Sequence, residues 1–141
     1  MKLQLACLAA LSVLVTSAHA VVPVYVTHDH SSATVLDKAS AQAILKDGMA
    51  DKLARLARLY PTRRWGFLSE VEGGFNASKT CVITARVLML PVSGTSLIYR
   101  PNKTATTFDA LPGATREQCR DLAKAKLREA VQSMLFSLLP S

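Results

Sequence analysis

Apolar positions change their period along this chain. From about Asp37 to Leu59 they recur three or four residues apart, at Leu45, Met49, Leu53, Leu56 and Tyr60, while Lys46, Asp47, Asp51, Lys52, Arg55 and Arg58 occupy the other faces. That spacing predicts an amphipathic helix. Gly48 costs about 1 kcal/mol relative to alanine inside a helix, so a kink or two shorter helices is expected there. Pro61 ends the segment, because the residue before a proline is pushed out of the helical region. The period then shortens. Trp65, Phe67 and Val71 alternate with Gly66, Leu68, Glu70 and Glu72, which predicts a strand running into Gly73-Gly74, with the glycines as a tight turn or bulge at its end.

Asn76 to Lys79 supplies turn residues, and Thr80 to Leu90 is the clearest strand. One face carries Cys81, Ile83, Ala85, Val87 and Met89 and is assigned to the core. The other carries Thr80, Val82, Thr84, Arg86 and Leu88 and is expected to be mixed and half exposed. Pro91 to Thr95 reads as a loop. Ser96 to Arg100 and Lys103 to Phe108 read as extended, with Pro101-Asn102 as a turn or the mark of an edge strand. Ahead of all these, residues 21–26 (VVPVYV) suit a short edge strand that tolerates Pro23, and residues 27–34 a polar connector. The connections between strands are too short for a crossover helix, so the sheet is expected to be antiparallel.

The last helix has the firmest boundary. Thr115 is a good N-cap and Gln118, three residues on, completes a capping box. Cys119, Leu122, Ala123, Leu127, Ala130, Val131, Met134 and Leu138 make its apolar stripe. The expected fold is a small two-layer α+β domain: an antiparallel sheet of three or four strands flanked by an N-terminal and a C-terminal helix, with one disulfide.

The ends change the picture. Lys2, an apolar stretch over residues 3–15 and the small-x-small triplet Ala18-His19-Ala20 predict a signal peptide over residues 1–20, leaving a single domain over residues 21–141. The stretch falls short of the roughly 20 apolar residues of a membrane span, although a retained anchor is the rival reading. Cys7 lies inside the apolar stretch, with almost nothing before it, which argues against acylation there. The short alanine-rich leader suggests bacterial export to the periplasm. Losing Lys2 lowers the formal net charge from +7 to +6. A basic exported chain suits another envelope protein or an anionic surface as partner, and such a chain seldom meets nucleic acid.

Cleavage would also remove Cys7 and leave Cys81 and Cys119. An even pair in an exported domain reads as one disulfide, two separate buried thiols being the alternative. With no CxxC there is no redox motif or zinc knuckle.

Candidate chemistry is sparse. Glu70 and Glu72, two apart on a strand, share a face and could serve as the paired carboxylates of a small hydrolase, but such chemistry normally needs a larger cleft. There is no GxSxG elbow and no phosphate-binding glycine loop. His28 and His30 flank Asp29 and would point the same way from an extended chain. A durable zinc site needs three or four ligands, so metal handling is a third-ranked reading. Ser31 and Ser32 are expected to start or cap the first helix. Arg55, Arg58, Arg63 and Arg64, followed by Trp65, form the densest basic cluster, partly explained by a helix C-terminus and partly suited to an acidic partner. Asn76 and Asn102 open N-glycosylation sequons that matter only in a eukaryotic secretory pathway. No cofactor is expected. The function expected from these residues is that of an exported, non-enzymatic binding or accessory protein acting by contact: an inhibitor, an immunity-type protein or an envelope-assembly factor.

Overall fold

A computed structural model describes residues 21–139. The expected signal peptide, with Cys7, lies outside the described residues. Strand β1 (Thr27–Asp29) leads into helix α1 (Lys38–Met49), a 3-10 turn (Ala50–Lys52) and helix α2 (Leu53–Leu59); strands β2 (Trp65–Phe75), β3 (Thr80–Ser93), β4 (Ser96–Leu97) and β5 (Lys103–Pro112) follow, then helix α3 (Arg116–Leu138). The domain is α+β, as the periodicity predicts.

The long amphipathic segment divides at Ala50 and not at Gly48. Asp37 caps α1 by accepting from Ser40 N at 2.8 Å. Helix continues through Gly48 and gives way only at Ala50. A Cβ on Gly48 would lie 2.7 Å from Val131 Cγ1, so the glycine is where α1 and α3 approach each other. Its low helix propensity is offset by close packing. At the far end of the chain, Thr115 and Gln118 form the expected capping box, at 3.1 and 2.8 Å.

The sheet differs from expectation. Its order is β1-β2-β3-β5, with β4 folded back on the end of β3. β1 runs parallel to β2, Thr27 beside Phe67 and Asp29 beside Ser69, whereas the remaining pairs are antiparallel. The sheet is therefore mixed. Connections among β2 to β5 are indeed too short for a crossover, but β1 reaches β2 through α1 and α2, which serve as one. The first strand also starts later than its sequence suggests. Residues 21–25 form no ladder and leave Val21, Val22 and Val24 exposed; the pairing begins where Val26 O accepts from Phe67 N at 2.9 Å and continues through the supposed polar connector. Tyr25 alone turns inward, stacking edge-on against Phe67 and donating its hydroxyl to Tyr60 O at 2.6 Å.

Both α1 and α3 pack on one face of the sheet rather than flanking it from two sides, sealing a core that includes Leu45, Phe67, Val71, Ile83, Met89, Leu127 and Met134. Cys81 and Cys119 meet there, their Cα atoms 5.7 Å apart in a disulfide, which staples the first turn of α3 to the central strand. On the opposite face, β3 continues through Pro91 instead of ending in a loop. The hairpin into β4 lays Leu97 over a second small cluster of Leu68, Leu88 and Leu90. Gly66 makes room for it, since a Cβ there would stand 2.5 Å from Leu97 Cδ2.

Candidate functional site

The arginine cluster is built by the end of α2 and the turn that feeds β2. Leu56 is the fully buried anchor of this short helix, so Arg55 and Arg58, on either side of it, are turned outward. The helix closes with Tyr60 N donating to Leu56 O at 2.7 Å. Tyr25 holds the same turn from below through its bond to the Tyr60 carbonyl. Pro61 O then accepts from Arg64 N and Trp65 N, at 2.9 and 3.1 Å, and Arg64 O accepts from Val92 N at 2.9 Å. The backbone of the turn is thus fixed from three directions. Arg55, Arg58, Arg63 and Arg64 are all exposed on it. Trp65 is half-buried and packs against the core, so its ring is chiefly a support for the corner. Arg55 additionally borders a groove of about 270 Å³ that it shares with Asp51, Lys52, Gln132, Leu135 and the outward-facing Phe136.

The paired carboxylates have another use. Glu70 and Glu72 do share a face, and Arg86 of β3, directly opposite Glu70, lies between them: its Nε is 3.2 Å from Glu70 Oε2 and its Nη2 3.7 Å from Glu72 Oε2. The contact to Glu70 is ionic rather than an aligned hydrogen bond, since that oxygen has no well-directed donor. Tyr99 Oη reaches the other Glu70 oxygen at 3.5 Å, the long limit of a hydrogen bond. Two acids that share one guanidinium do not form an acid and a nucleophile facing each other across a cleft. Glu72 borders an open groove near the glycine pair, but Glu70 is not part of it. Gly73 and Gly74, at φ of 139° and 144°, lie within β2, which runs on to Phe75; they are not its terminus.

His28 and His30 are exposed, and Asp29 turns the other way, as extended backbone requires. Asp29 Oδ1 accepts from Ser31 Oγ and Ser69 Oγ, both at 2.7 Å, and Oδ2 accepts from Ser31 N at 3.2 Å. Ser31 Oγ in turn accepts from Val71 N at 2.9 Å. The His-Asp-His stretch is therefore a buttress for the edge of the sheet. Neither Ser31 nor Ser32 caps α1; that cap is Asp37, whose pKa is lowered first by the Ser40 hydroxyl and then by backbone donors. Among the described residues, no group of three or more His, Cys, Asp or Glu side chains is placed to hold a metal ion. Asn76 is exposed, and its Oδ1 organises the β2–β3 turn by accepting from Ser78 N and Thr80 N; Asn102 is exposed beside Lys103.

Sequence reasoning found the β3 part of the outer sheet face but missed the exposed apolar side chains that β5 and the β4 hairpin add to it. Phe108 is 78% exposed there, with Val82 and Thr84 on the neighbouring strand, and Ile98 and Tyr99 project from the β4 hairpin. The alternation Thr104, Thr106, Phe108 carried that signal, because residues two apart on a strand share a face.

No protein-family model matches the chain, and no curated protein matches it at a significant level. Among solved structures, it is similar to the PelC dodecamer from Paraburkholderia phytofirmans in two crystal forms. One is a single-substitution variant at 14% identity, covering 77% of this chain and 85% of that one, with a TM-score of 0.45; the other, also at 14%, covers 78% and 84% with a TM-score of 0.44. It is also similar to a candidate lipoprotein from Caulobacter crescentus, at 12% identity over 79% and 86% of the two chains, with a TM-score of 0.37. Likenesses of this strength leave the function and assembly of this chain to be argued from its own residues.

Proposed function

We propose that residues 21–141 are the mature form of an exported accessory protein that acts by contact, through the arginine corner, on an acidic partner in the periplasm. The observation that carries this reading is the exposure of Arg55, Arg58, Arg63 and Arg64 on a backbone fixed by hydrogen bonds. Rigid presentation matters because a preset surface loses less entropy on binding than a flexible one. Export is supported by the leader pattern and by a disulfide, which forms and persists in oxidising compartments. No described helix is long and apolar enough to cross a membrane.

The test is capture from native envelope extract at low and high salt, with wild type and an Arg58→Glu/Arg63→Glu/Arg64→Glu variant. A partner retained by wild type at low salt should be lost on reversal, and released by salt, since exposed charges are screened over about 10 Å at 0.1 M. A partner held equally well by the variant, and insensitive to salt, places the interface elsewhere and overturns the reading.

A further inference from the structure

The two edges of the sheet are unequal. β1 is three residues long, and the N–H of Ser31 just beyond it is taken by Asp29. β5 is ten residues long and, among the described residues, pairs on one side only, with β3. Which of its backbone groups face outward follows from the ladder. Asn76 N bonds Thr80 O and Val92 N bonds Arg64 O, so the even-numbered residues of β3 direct their N–H and C=O groups to β2. Its odd-numbered residues then face β5, where they meet Lys103, Ala105, Thr107 and Asp109. Thr104, Thr106, Phe108 and Ala110 are left pointing away from the sheet. The Ala110 N–H is closed off by the Asp109 carboxylate at 2.8 Å, which agrees with this parity. The open run is thus Thr104 to Phe108, and all three of its outward-pointing residues are exposed.

We infer that this edge pairs with β5 of a second copy of the chain, antiparallel about a two-fold axis through Thr106. Unpaired edges of this length are sites of strand addition unless blocked, and no charge points inward along this run. The three open residues are centred on Thr106. Setting Thr106 opposite itself places Thr104 opposite Phe108 in both directions and uses every open N–H and C=O. The same register puts Lys103 of each copy opposite Asp109 of the other, opposite charges that would meet there in addition to their partners within the chain, Ser137 O for Lys103 and Lys126 for Asp109. A shift by two residues either way loses that match, and in one direction meets the N–H that Asp109 already holds. On the outer face, Phe108 would lie beside Thr104 and Thr106 of the second copy. Aromatic and β-branched neighbours of this kind stabilise paired strands by about 0.2–1 kcal/mol each.

Residues 21–141 contain every element of the described fold, and sedimentation velocity on that chain over a wide concentration range tests the pairing. A reversible monomer–dimer equilibrium is expected. Thr106→Pro removes an outward N–H that no described strand of the same chain uses, so it should abolish the dimer while leaving circular dichroism unchanged. Thr106→Cys sets the register independently. Paired Cα atoms about 5.5 Å apart fall within disulfide range, so mild oxidation should cross-link this variant, whereas Thr104→Cys, displaced from its own counterpart, should stay uncross-linked. A monomer at every concentration, a dimer that survives Thr106→Pro, or equal cross-linking of the two cysteine variants would overturn the inference. Should Thr106→Pro misfold, the cysteine pair still decides.

Discussion

Removing the Cys81–Cys119 bridge should cost this fold about 4 kcal/mol. The two cysteines are 38 residues apart, and constraining a loop of that length lowers the entropy of the unfolded chain by roughly 13 cal/mol/K in the chain-entropy model, hence about 4 kcal/mol at room temperature. Single domains are stable by only about 5–15 kcal/mol, so the bridge carries a large share. Cys81 is fully buried and Cys119 nearly so, which makes alanine the appropriate replacement at both. Urea unfolding followed by circular dichroism would compare three forms: oxidised wild type, wild type reduced while unfolded and refolded under reductant, and Cys81→Ala/Cys119→Ala. At a slope of about 1.5 kcal/mol/M, both altered forms should unfold about 2–3 M earlier. If the bridge acts on the unfolded state, the two should agree closely. A midpoint that does not move with reduction would refute the entropic argument, and an alanine variant much weaker than the reduced protein would show that sulfur packing, not loop closure, is the larger effect.

Other substitutions probe the packing and the sign of a titration. Gly48→Ala should destabilise by about 1 kcal/mol despite the better helix former, because overpacking costs of about 1–3 kcal/mol outweigh the propensity gain; Val131→Ala in the same chain should recover part of the loss, and thermal unfolding reads both. Burial raises the Tyr25 hydroxyl to a pKa of about 12, so the unfolded chain ionises first. Stability is therefore complete below pH of about 10 and should fall as pH rises towards 12, a decline that urea titrations should find reduced in Tyr25→Phe.

Local chemistry made much of this fold legible. The capping box at Thr115 and Gln118, the core face of β3 and the stripe of α3 follow from patterns that span only a few residues, and the disulfide follows from parity and compartment. What escaped was set by tertiary pairing. Nothing local in Thr27-His28-Asp29 announces a strand; it becomes one because α1 and α2 return the chain alongside it and β2 presents open backbone groups. Gly48 reads as a helix breaker from propensity alone, whereas its use depends on Val131, more than eighty residues away. Leu88 reads as part of a half-exposed face because the hairpin that covers it cannot be seen from its own alternation. The arginine corner was legible as residues and charge, but not its rigidity, which comes from Tyr25, Pro61 and Val92. Likewise the pairing of Glu70 and Glu72 was visible, and their shared partner, Arg86, was a matter of register.

Salt should drive the two proposed associations in opposite directions. Much of the acid in this domain is held by its own cations or backbone: Glu70 and Glu72 by Arg86, Asp109 and Glu129 by Lys126, and Asp29 and Asp37 by serines. Two copies meeting at β5 bring together chains of net charge +7, or +6 without the first twenty residues, and that repulsion acts over the longest range. The Lys103–Asp109 contacts between copies would be exposed, and such pairs contribute about 0–1 kcal/mol, too little to reverse the sign. Screening should therefore strengthen the dimer while it weakens capture by the arginine corner. Measured on one preparation across a salt series, opposite slopes would show two separate surfaces at work. Parallel slopes would mean that the self-association runs through charge complementarity after all, and would move its interface from the backbone edge of β5 towards the arginines.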